Sequence, residues 1–259
     1  MLDALAPFVE LPQTVIYGIA LIFTRVAGTV ALLPGFGEQS IPTRIRLIVA
    51  LCFTIIAWPL ILPKIGALPD TTMQLLMLFG IEAAIGTMMG IVFRFFVLAL
   101  QLAGSIAAQA TSLSQILGAS ATPDPMPAMG NVLVIAGLVL ALAAGLHVKA
   151  VMAIAFSYDI FPIGLAPNSS EVATWGVARA ARAFELAFVL AAPFVIASFA
   201  YNLTLGFINR AMPQLPVAFI GAPAITAGGL LILLLSGPVL LTVWAERFDA
   251  ILANPFETH

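Results

Sequence analysis

The chain has 259 residues, of which 62% are hydrophobic and 8% are charged, and its mean hydropathy is +1.12. Because a soluble domain is about 45–50% apolar, this composition excludes an ordinary soluble protein and predicts an integral membrane protein. The formal net charge of −2 gives no basic stripe for nucleic acid, and the single cysteine, Cys52, excludes an intrachain disulfide framework and a cysteine-based zinc site.

Long stretches without a charged side chain indicate the fold class. Each of the following is long enough for a membrane-spanning helix of about 20 residues: Phe95–Pro123, Pro125–Leu146, Leu186–Asn209 and Ala211–Ala245. A transmembrane β-barrel would instead show segments of about ten residues with alternating polarity. The sequence therefore predicts an all-α, polytopic membrane protein of about six hydrophobic helices.

The first two predicted helices lie on either side of a turn. The first covers residues 14–33 and ends at Pro34-Gly35-Phe36-Gly37, where glycines and proline interrupt regular structure. The second is predicted to begin near Pro42, because proline suits the first turn of a helix. We expect it to end at about Ala57, before Trp58-Pro59.

A mostly apolar run then covers residues 73–118, which is too long for one untilted span. It is interpreted either as two helical pieces or as one long helix broken near Gly104, and the residues leave both alternatives open. Small faces at Gly80, Gly86 and Gly90 would let a neighbouring helix approach closely.

Prolines and capping residues mark the next boundaries. Pro123, Pro125 and Pro127 exclude a regular helix at that point. The following helix is predicted over residues 129–156. Asn168-Ser169-Ser170-Glu171 is typical of a capped helix start, with Ser169 or Ser170 as the expected cap.

The last two apolar segments, residues 184–207 and 217–244, predict a helical hairpin. They are joined by Asn202–Pro216, a stretch that is unusually polar for its surroundings. This stretch and Ser105–Pro127 are either surface loops or irregular backbone that is buried in protein or lines a water-filled path. The residues alone do not decide between the two.

Four charged residues, Arg25, Glu82, Arg94 and Glu185, lie within predicted spans, where ionisable groups are candidate functional residues. We favour structural roles for them over transport. Arg25 and Glu82 are expected to pair, Arg94 to extend its head group towards a helix end, and Glu185 to pair with Arg182 three residues earlier. The alternative is a small secondary transporter with Arg25, Glu82 and Arg94 along its polar path.

The sequence gives no reason to expect an enzyme. It contains no nucleophile elbow, no zinc-protease helix motif, no paired carboxylates and no phosphate-binding glycine loop with lysine. We therefore predict no catalytic residues, no cofactor and no metal.

Several motifs occur in a fixed order along most of the chain. They are Arg25 with Pro34-Gly35-Phe36-Gly37, Ile41-Pro42-Thr43-Arg44-Ile45-Arg46, Phe161-Pro162-Ile163-Gly164, Phe219-Ile220-Gly221-Ala222-Pro223, and the most specific set, Asn209, Arg210, Pro213 and Gln214. In these motifs the chain resembles the FliR family, inner-membrane components of the flagellar type III export gate with homologues in virulence secretion. One departure is that Asp124-Pro125 directly precedes Met126-Pro127, so the plug-region acid of the family is not assigned to Asp124.

The resemblance implies a division of the chain and a set of functional residues. Residues 1–183 would form a FliP-like part that includes a plug region, and residues 184–259 a FliQ-like helical hairpin and tail. The implied plug residues are Gln115, Gly118, Pro123 and Met126. The implied residues of the cytoplasmic entrance are Asn209, Arg210, Pro213 and Gln214.

The resemblance also implies partners and a location. FliP and FliQ subunits would form the export channel with this chain, and an FlhB-type export switch protein, exported unfolded proteins and membrane lipid would contact it. The expected location is the flagellar basal body in the bacterial inner membrane. No nucleic-acid partner is expected.

Overall fold

A computed structural model describes residues 13–65, 71–111, 128–212 and 217–256. These residues form α-helices, the short 3-10 helix Leu62–Lys64 and connecting turns, and they include no β-strand. The α-helices are α1 Gln13–Leu32, α2 Thr43–Ile61, α3 Thr72–Ala110, α4 Ala128–Ala143, α5 Leu146–Ile160, α6 Ser169–Ala211 and α7 Val217–Ala253. The predicted all-α fold class is confirmed.

The helices are also long and apolar enough to support the predicted membrane protein. Candidate spans within the described residues are Val15–Leu32, Thr43–Lys64, Thr72–Ala110, Ser169–Ala211 and Pro223–Ala253. A sixth is obtained when α4 and α5 are counted together as one interrupted span. The expectation of about six hydrophobic helices is therefore confirmed.

The second helix does not end at Ala57 as we predicted. It runs through Trp58-Pro59 and closes at Ile61. A proline inside a helix removes one backbone donor, but Pro59 lies in the last turn and the Leu62 N–H still donates to the Trp58 carbonyl. The interruption is therefore too small to stop the helix.

The third helix is unbroken from Thr72 to Ala110, so the break predicted near Gly104 is wrong. Residues 112–118 of the predicted run lie outside the described ranges. Gly104 instead faces the backbone of α4. A Cβ atom at this position would lie 2.5 Å from the Gly130 nitrogen. Glycine is required here for close helix packing, not for a turn.

The helix predicted over residues 129–156 is divided into α4 and α5. Gly145, just before α5, has a φ of 81°, in the left-handed region that glycine adopts without steric cost. The segments on both sides of Gly145 are apolar, so the hydropathy of the sequence did not reveal this interruption. α5 continues to Ile160, beyond the predicted end.

The capped start near residue 169 and the helix predicted over residues 184–207 belong to one helix, α6. Its cap is Asn168, whose side-chain oxygen accepts a hydrogen bond from the Ser170 N–H at 3.1 Å. The predicted caps, Ser169 and Ser170, lie instead in the first turn. An asparagine in this position satisfies a backbone donor that has no partner within the helix.

Packing divides the chain into two units, each built from separate stretches. Unit 1 comprises Met1–Arg94, Gly145–Val177 and Ala250–His259, and unit 2 comprises Phe95–Ala144 and Ala178–Asp249. The division at residues 183 and 184 rests on family resemblance and stays a prediction.

Unit 2 has an aromatic centre on α7. The Trp244 ring is fully buried and stacks on Phe248 at a centroid distance of 5.1 Å. Its indole Nε1–H donates to the Phe96 carbonyl at 2.9 Å, which satisfies the one polar group of the ring.

In unit 1, glycines bring α1 and α3 into backbone contact. A Cβ atom on Gly28 would lie 2.9 Å from the Thr87 nitrogen, and one on Gly90 would lie 2.9 Å from the Thr29 carbonyl oxygen. At Gly86 the Cβ position is occupied by the Arg25 carbonyl oxygen. The predicted small face is thus confirmed for Gly86 and Gly90, whereas Gly80 has no atom within 4 Å of its Cβ position.

We predict that Gly86→Ala destabilises the protein by about 3 kcal/mol, because the added methyl group meets backbone that cannot rotate away. The matched control is Gly80→Ala on the same helix, which should raise stability by up to about 1 kcal/mol through helix propensity. Thermal unfolding of the purified protein in detergent measures both. Equal melting temperatures for the two variants would contradict the close crossing.

Candidate functional site

Among the described residues, the most deeply buried charges form an ion pair between α1 and α3. Arg25 and Glu82 are each 0% exposed. The Arg25 Nε–H donates to Glu82 Oε2 at 2.7 Å, and an Nη2–H donates to Oε1 at 3.0 Å. This two-pronged geometry matches the planar guanidinium to the carboxylate. The pairing predicted from the sequence is confirmed.

Helix α5 supplies the remaining acceptors of the guanidinium group. An Nη1–H donates to Ser157 Oγ at 3.0 Å, and a second Nη2–H donates to the Phe161 carbonyl at 2.9 Å. With the Glu82 bonds, four of the five guanidinium N–H groups have acceptors. One side chain on α1 thus ties together α3, α5 and the residue that follows α5.

Tyr158 covers one face of the ion pair. Its ring centroid lies 3.6 Å from the Arg25 guanidinium carbon, which places the cation over the negative face of the ring. Its hydroxyl donates to Glu82 Oε2 at 3.4 Å. The tyrosine therefore contacts both charges and, at 2% exposure, excludes water from them.

Neighbouring hydroxyl groups satisfy the surrounding backbone. The Thr29 hydroxyl is within hydrogen-bonding distance of the Arg25 carbonyl at 3.0 Å and of the Gly86 carbonyl at 3.1 Å, and so bridges α1 and α3. Ser157 Oγ donates to the Ile154 carbonyl at 2.6 Å, which leaves its lone pairs for Arg25. We call Arg25, Glu82, Ser157, Tyr158 and the Phe161 carbonyl the Arg25 cluster.

The C-terminal part of unit 1 packs beside this cluster. The Phe256 ring lies edge-on to the Phe161 ring at a centroid distance of 4.9 Å and stacks against Trp175 at 5.8 Å. Phe161 therefore presents its carbonyl to Arg25 and its ring to the residues that follow α7. The end of the chain thus helps to hold the turn from which Arg25 receives an acceptor.

Arg94 does not extend towards a helix end as we predicted. It lies within α3 and pairs with Glu38, in the turn that follows α1. The main chain of the same turn is held by Arg46, whose Nε–H and Nη2–H donate to the carbonyls of Ile41 at 3.1 Å and Glu38 at 3.0 Å. The correction has a simple cause: an acid distant in sequence was available as a partner.

These contacts disfavour the transporter alternative. Its polar path would require Arg25, Glu82 and Arg94 to offer groups to a solute. The Arg25–Glu82 pair is excluded from solvent and its polar atoms bind one another or α5, while Arg94 binds Glu38 instead of extending the same network. The Arg25–Glu82 pair therefore has the contacts of a structural link between helices α1, α3 and α5.

The other predicted residues lie elsewhere. Glu185 is exposed on α6, and its expected pairing with Arg182 is not found among the ion pairs of the described residues. Asn209 and Arg210 are exposed in the last turn of α6. The following residues fall outside the described ranges, and their roles stay predictions: Gln115, Gly118, Pro123, Met126, Pro213 and Gln214.

Sequence reasoning missed the contribution of α5. Ser157 and Tyr158 form a polar pair inside an apolar helix, and that signal was available but was not connected with Arg25. The Phe161 carbonyl gives no side-chain signal of its role. Glu38 was visible as an acid beside a turn, although nothing in the sequence linked it to Arg94.

Comparison with known proteins gives the chain a family. The model of a family described as "Bacterial export proteins, family 1" matches residues 16–251. The chain is 35% identical to the flagellar biosynthetic protein FliR of Caulobacter vibrioides over 238 residues, which cover 92% of this chain and 95% of that protein.

The chain belongs to the FliR family of bacterial export proteins.

More distant members of the FliR family align over a similar length. The flagellar biosynthetic protein FliR of Bacillus subtilis is 26% identical over 88% of this chain and 89% of its own length. That of Escherichia coli K12 is 24% identical over 88% of this chain and 87% of its own length. The resemblance read from the motifs is therefore confirmed for nearly the whole chain.

We predict that Glu82→Gln destabilises this FliR-family chain by about 3–5 kcal/mol, because the Arg25 charge then stays buried without a counter-charge. The double variant Arg25→Met with Glu82→Leu should recover part of this loss, since it removes both charges. Thermal unfolding in detergent, followed by circular dichroism, measures the shifts.

The control for this experiment is Glu185→Gln, which makes the same chemical change at an exposed position. It should leave the melting temperature nearly unchanged. A loss in Glu185→Gln as large as that in Glu82→Gln would show that the burial of the Arg25–Glu82 pair does not matter.

Proposed function

We propose that this chain is a core, non-enzymatic subunit of the flagellar type III protein export gate. In this proposal it forms with FliP and FliQ the channel through which unfolded flagellar proteins cross the bacterial inner membrane at the basal body. An FlhB-type export switch protein is a further proposed partner. The observation that carries the proposal is the family match over residues 16–251, which includes both the plug interval and the hairpin connection.

The surface of the chain supports a role inside an assembly. Large apolar side chains are exposed on three different helices, including Ile55 on α2 at 71%, Phe199 on α6 at 70% and Leu234 on α7 at 73%. Such side chains require lipid or the helices of other subunits around them. We assign part of this surface to FliP and FliQ neighbours and part to membrane lipid.

The proposed plug belongs to the interval first recognised as Ser105–Pro127. Its first part, from Ser105, is helical, because α3 continues to Ala110. Residues 112–127 lie outside the described ranges. Gln115, Gly118, Pro123 and Met126 keep their proposed roles in closing the resting channel.

The proposed entrance lies at the connection between α6 and α7. Arg210 is in the last turn of α6 and exposed, and a cation there interacts favourably with the helix dipole. Its guanidinium group is thus available to acceptors on neighbouring subunits. With Asn209, Pro213 and Gln214 it would shape the cytoplasmic entrance, where the prolines prevent α6 from continuing.

We predict that a chain shortened between Leu117 and Pro127 still copurifies with FliP and FliQ but no longer closes the channel. The shortening leaves every described helix, α1 to α7, unchanged, so assembly should be retained. Conductance of cells or planar bilayers containing the complex should rise well above that of the unaltered complex.

Two separate results would contradict this picture. If the tagged, unaltered chain is recovered without FliP and FliQ, the gate assignment is wrong. If the shortened chain assembles and the conductance stays at its resting value, the plug assignment is wrong while the gate assignment stands.

We also predict that Arg210→Ala reduces flagellar protein export and swimming, because a charge-assisted hydrogen bond to a neighbouring subunit, worth about 1.5–3 kcal/mol, is lost. Arg210→Lys should recover export only in part, since lysine keeps the charge but cannot donate two parallel hydrogen bonds to one acceptor group as a guanidinium group can. The control is Arg247→Ala, at an exposed arginine on α7. Export measured as flagellar protein in the medium should be normal in the control, and equal export in all variants would remove Arg210 from the entrance.

A further inference from the structure

The C-terminal end of α3 buries one side within unit 2, while Gln109 is exposed and Ala110 is half-buried. Ala107, Ala108 and Thr111 are only 1–2% exposed. The last four carbonyl groups of a helix have no partner within that helix. Without water they must find other donors, because an unpaired buried carbonyl is costly.

Part of this requirement is met locally, and part is met by α6. The Thr111 N–H and the Thr111 hydroxyl both donate to the Ala107 carbonyl, at 3.0 Å and 2.9 Å. The Ala110 carbonyl accepts a hydrogen bond from the Ser198 hydroxyl at 2.7 Å. A residue 88 positions later in the chain therefore caps the end of α3.

Asn202 fixes the direction of the Ser198 hydroxyl. Its Nδ2 group donates to Ser198 Oγ at 3.2 Å and to the Ser198 carbonyl at 2.9 Å. Since Oγ accepts from Asn202, its single proton is directed to the Ala110 carbonyl. Ser198 and Asn202 therefore cap the Ala110 carbonyl together.

Two residues of α7, Thr226 and Gly229, contact Thr111, which follows the end of α3. The Thr226 hydroxyl donates to the Thr111 carbonyl at 3.4 Å. Gly229 leaves room for the Thr111 side chain, because a Cβ atom there would lie 2.5 Å from Thr111 Cγ2. Helix α6 therefore holds Ala110, the last residue of α3, and α7 holds Thr111, the residue that follows it.

We propose that Ser198, Asn202, Thr226 and Gly229 form a clamp through which the hairpin fixes the point where the chain leaves α3. They are positioning residues, and a movement of α6 against α7 would move or release Thr111. This inference rests on the proposed function in one respect, since the chain beyond Thr111 is the proposed plug. The clamp would then control how firmly the resting channel is closed.

Two variants with matched controls test the clamp in the assembled complex. Ser198→Ala removes the cap, and its control is Ser236→Ala on α7, whose hydroxyl donates to the Ile232 carbonyl within its own helix. Gly229→Ala pushes against Thr111, and its control is Gly228→Ala, which has no atom within 4 Å of the added methyl group. Hydrogen exchange of the peptide that ends at Thr111 and ion conductance are measured for all four.

We expect the exchange of this peptide to become about fivefold to tenfold faster in Ser198→Ala, in line with one lost hydrogen bond to a buried carbonyl. Gly229→Ala should change it in the same direction, and both controls should match the unaltered complex. Conductance should rise in the two clamp variants only. These results together would support the clamp and its control of the plug.

The two measurements separate the possible failures. Unchanged exchange in both clamp variants would overturn the clamp itself, whatever the conductance. A second outcome is faster exchange in the clamp variants without increased conductance, while the complex shortened between Leu117 and Pro127 does conduct. This outcome would overturn the regulation of the plug by the clamp, but the plug assignment would stand. If the shortened complex also shows no increase in conductance, the plug proposal fails. The proposal that the clamp regulates the plug then fails with it.

Discussion

The structure of unit 1 depends on one buried charge. An arginine inside an apolar helix is tolerated only when a counter-charge and hydrogen-bond acceptors surround it, because moving an ion out of water costs several kcal/mol or more. Arg25 meets this condition by drawing Glu82 from α3 and Ser157 and Tyr158 from α5 to one point. Hydrophobic burial brings apolar helices together without direction, whereas the hydrogen bonds of this cluster form only when the three helices bring these residues within bonding distance.

Glycine makes that arrangement possible. Gly86 lies four residues after Glu82, one turn along the same face of α3, and its missing side chain admits the backbone of α1 at Arg25. The close approach places the carboxylate within reach of the guanidinium group, and Thr29 then bridges the two backbones. The apolar contact, the hydrogen bonds and the ion pair thus depend on the same crossing. A change at Gly86 or at Glu82 would disturb all three.

Helix α3 has a different role at each end. Its first part, with Glu82 and Gly86, belongs to unit 1, and its last part, which ends at Ala110 and is followed by Thr111, belongs to unit 2. At the first end a charge is satisfied, and at the second end backbone carbonyls are satisfied by Ser198 and Thr226. In both places a polar group in an apolar phase selects a partner far away in sequence. A membrane protein can use such contacts because water does not compete for them.

The sequence by itself determined the membrane class, the helical fold, the family and the pairing of Arg25 with Glu82, because hydropathy, charge scarcity and short motifs are properties of neighbouring residues. It did not determine that Gly104 lies inside a helix, that Gly145 separates two, or that Arg94 pairs with Glu38. Only the tertiary structure decided these, and it also brought Ser157, the Phe161 carbonyl and Ser198 to their partners. The reason is physical: the role of a glycine or a buried polar group depends on what lies across the helix interface, and that is set by packing between segments far apart in the chain.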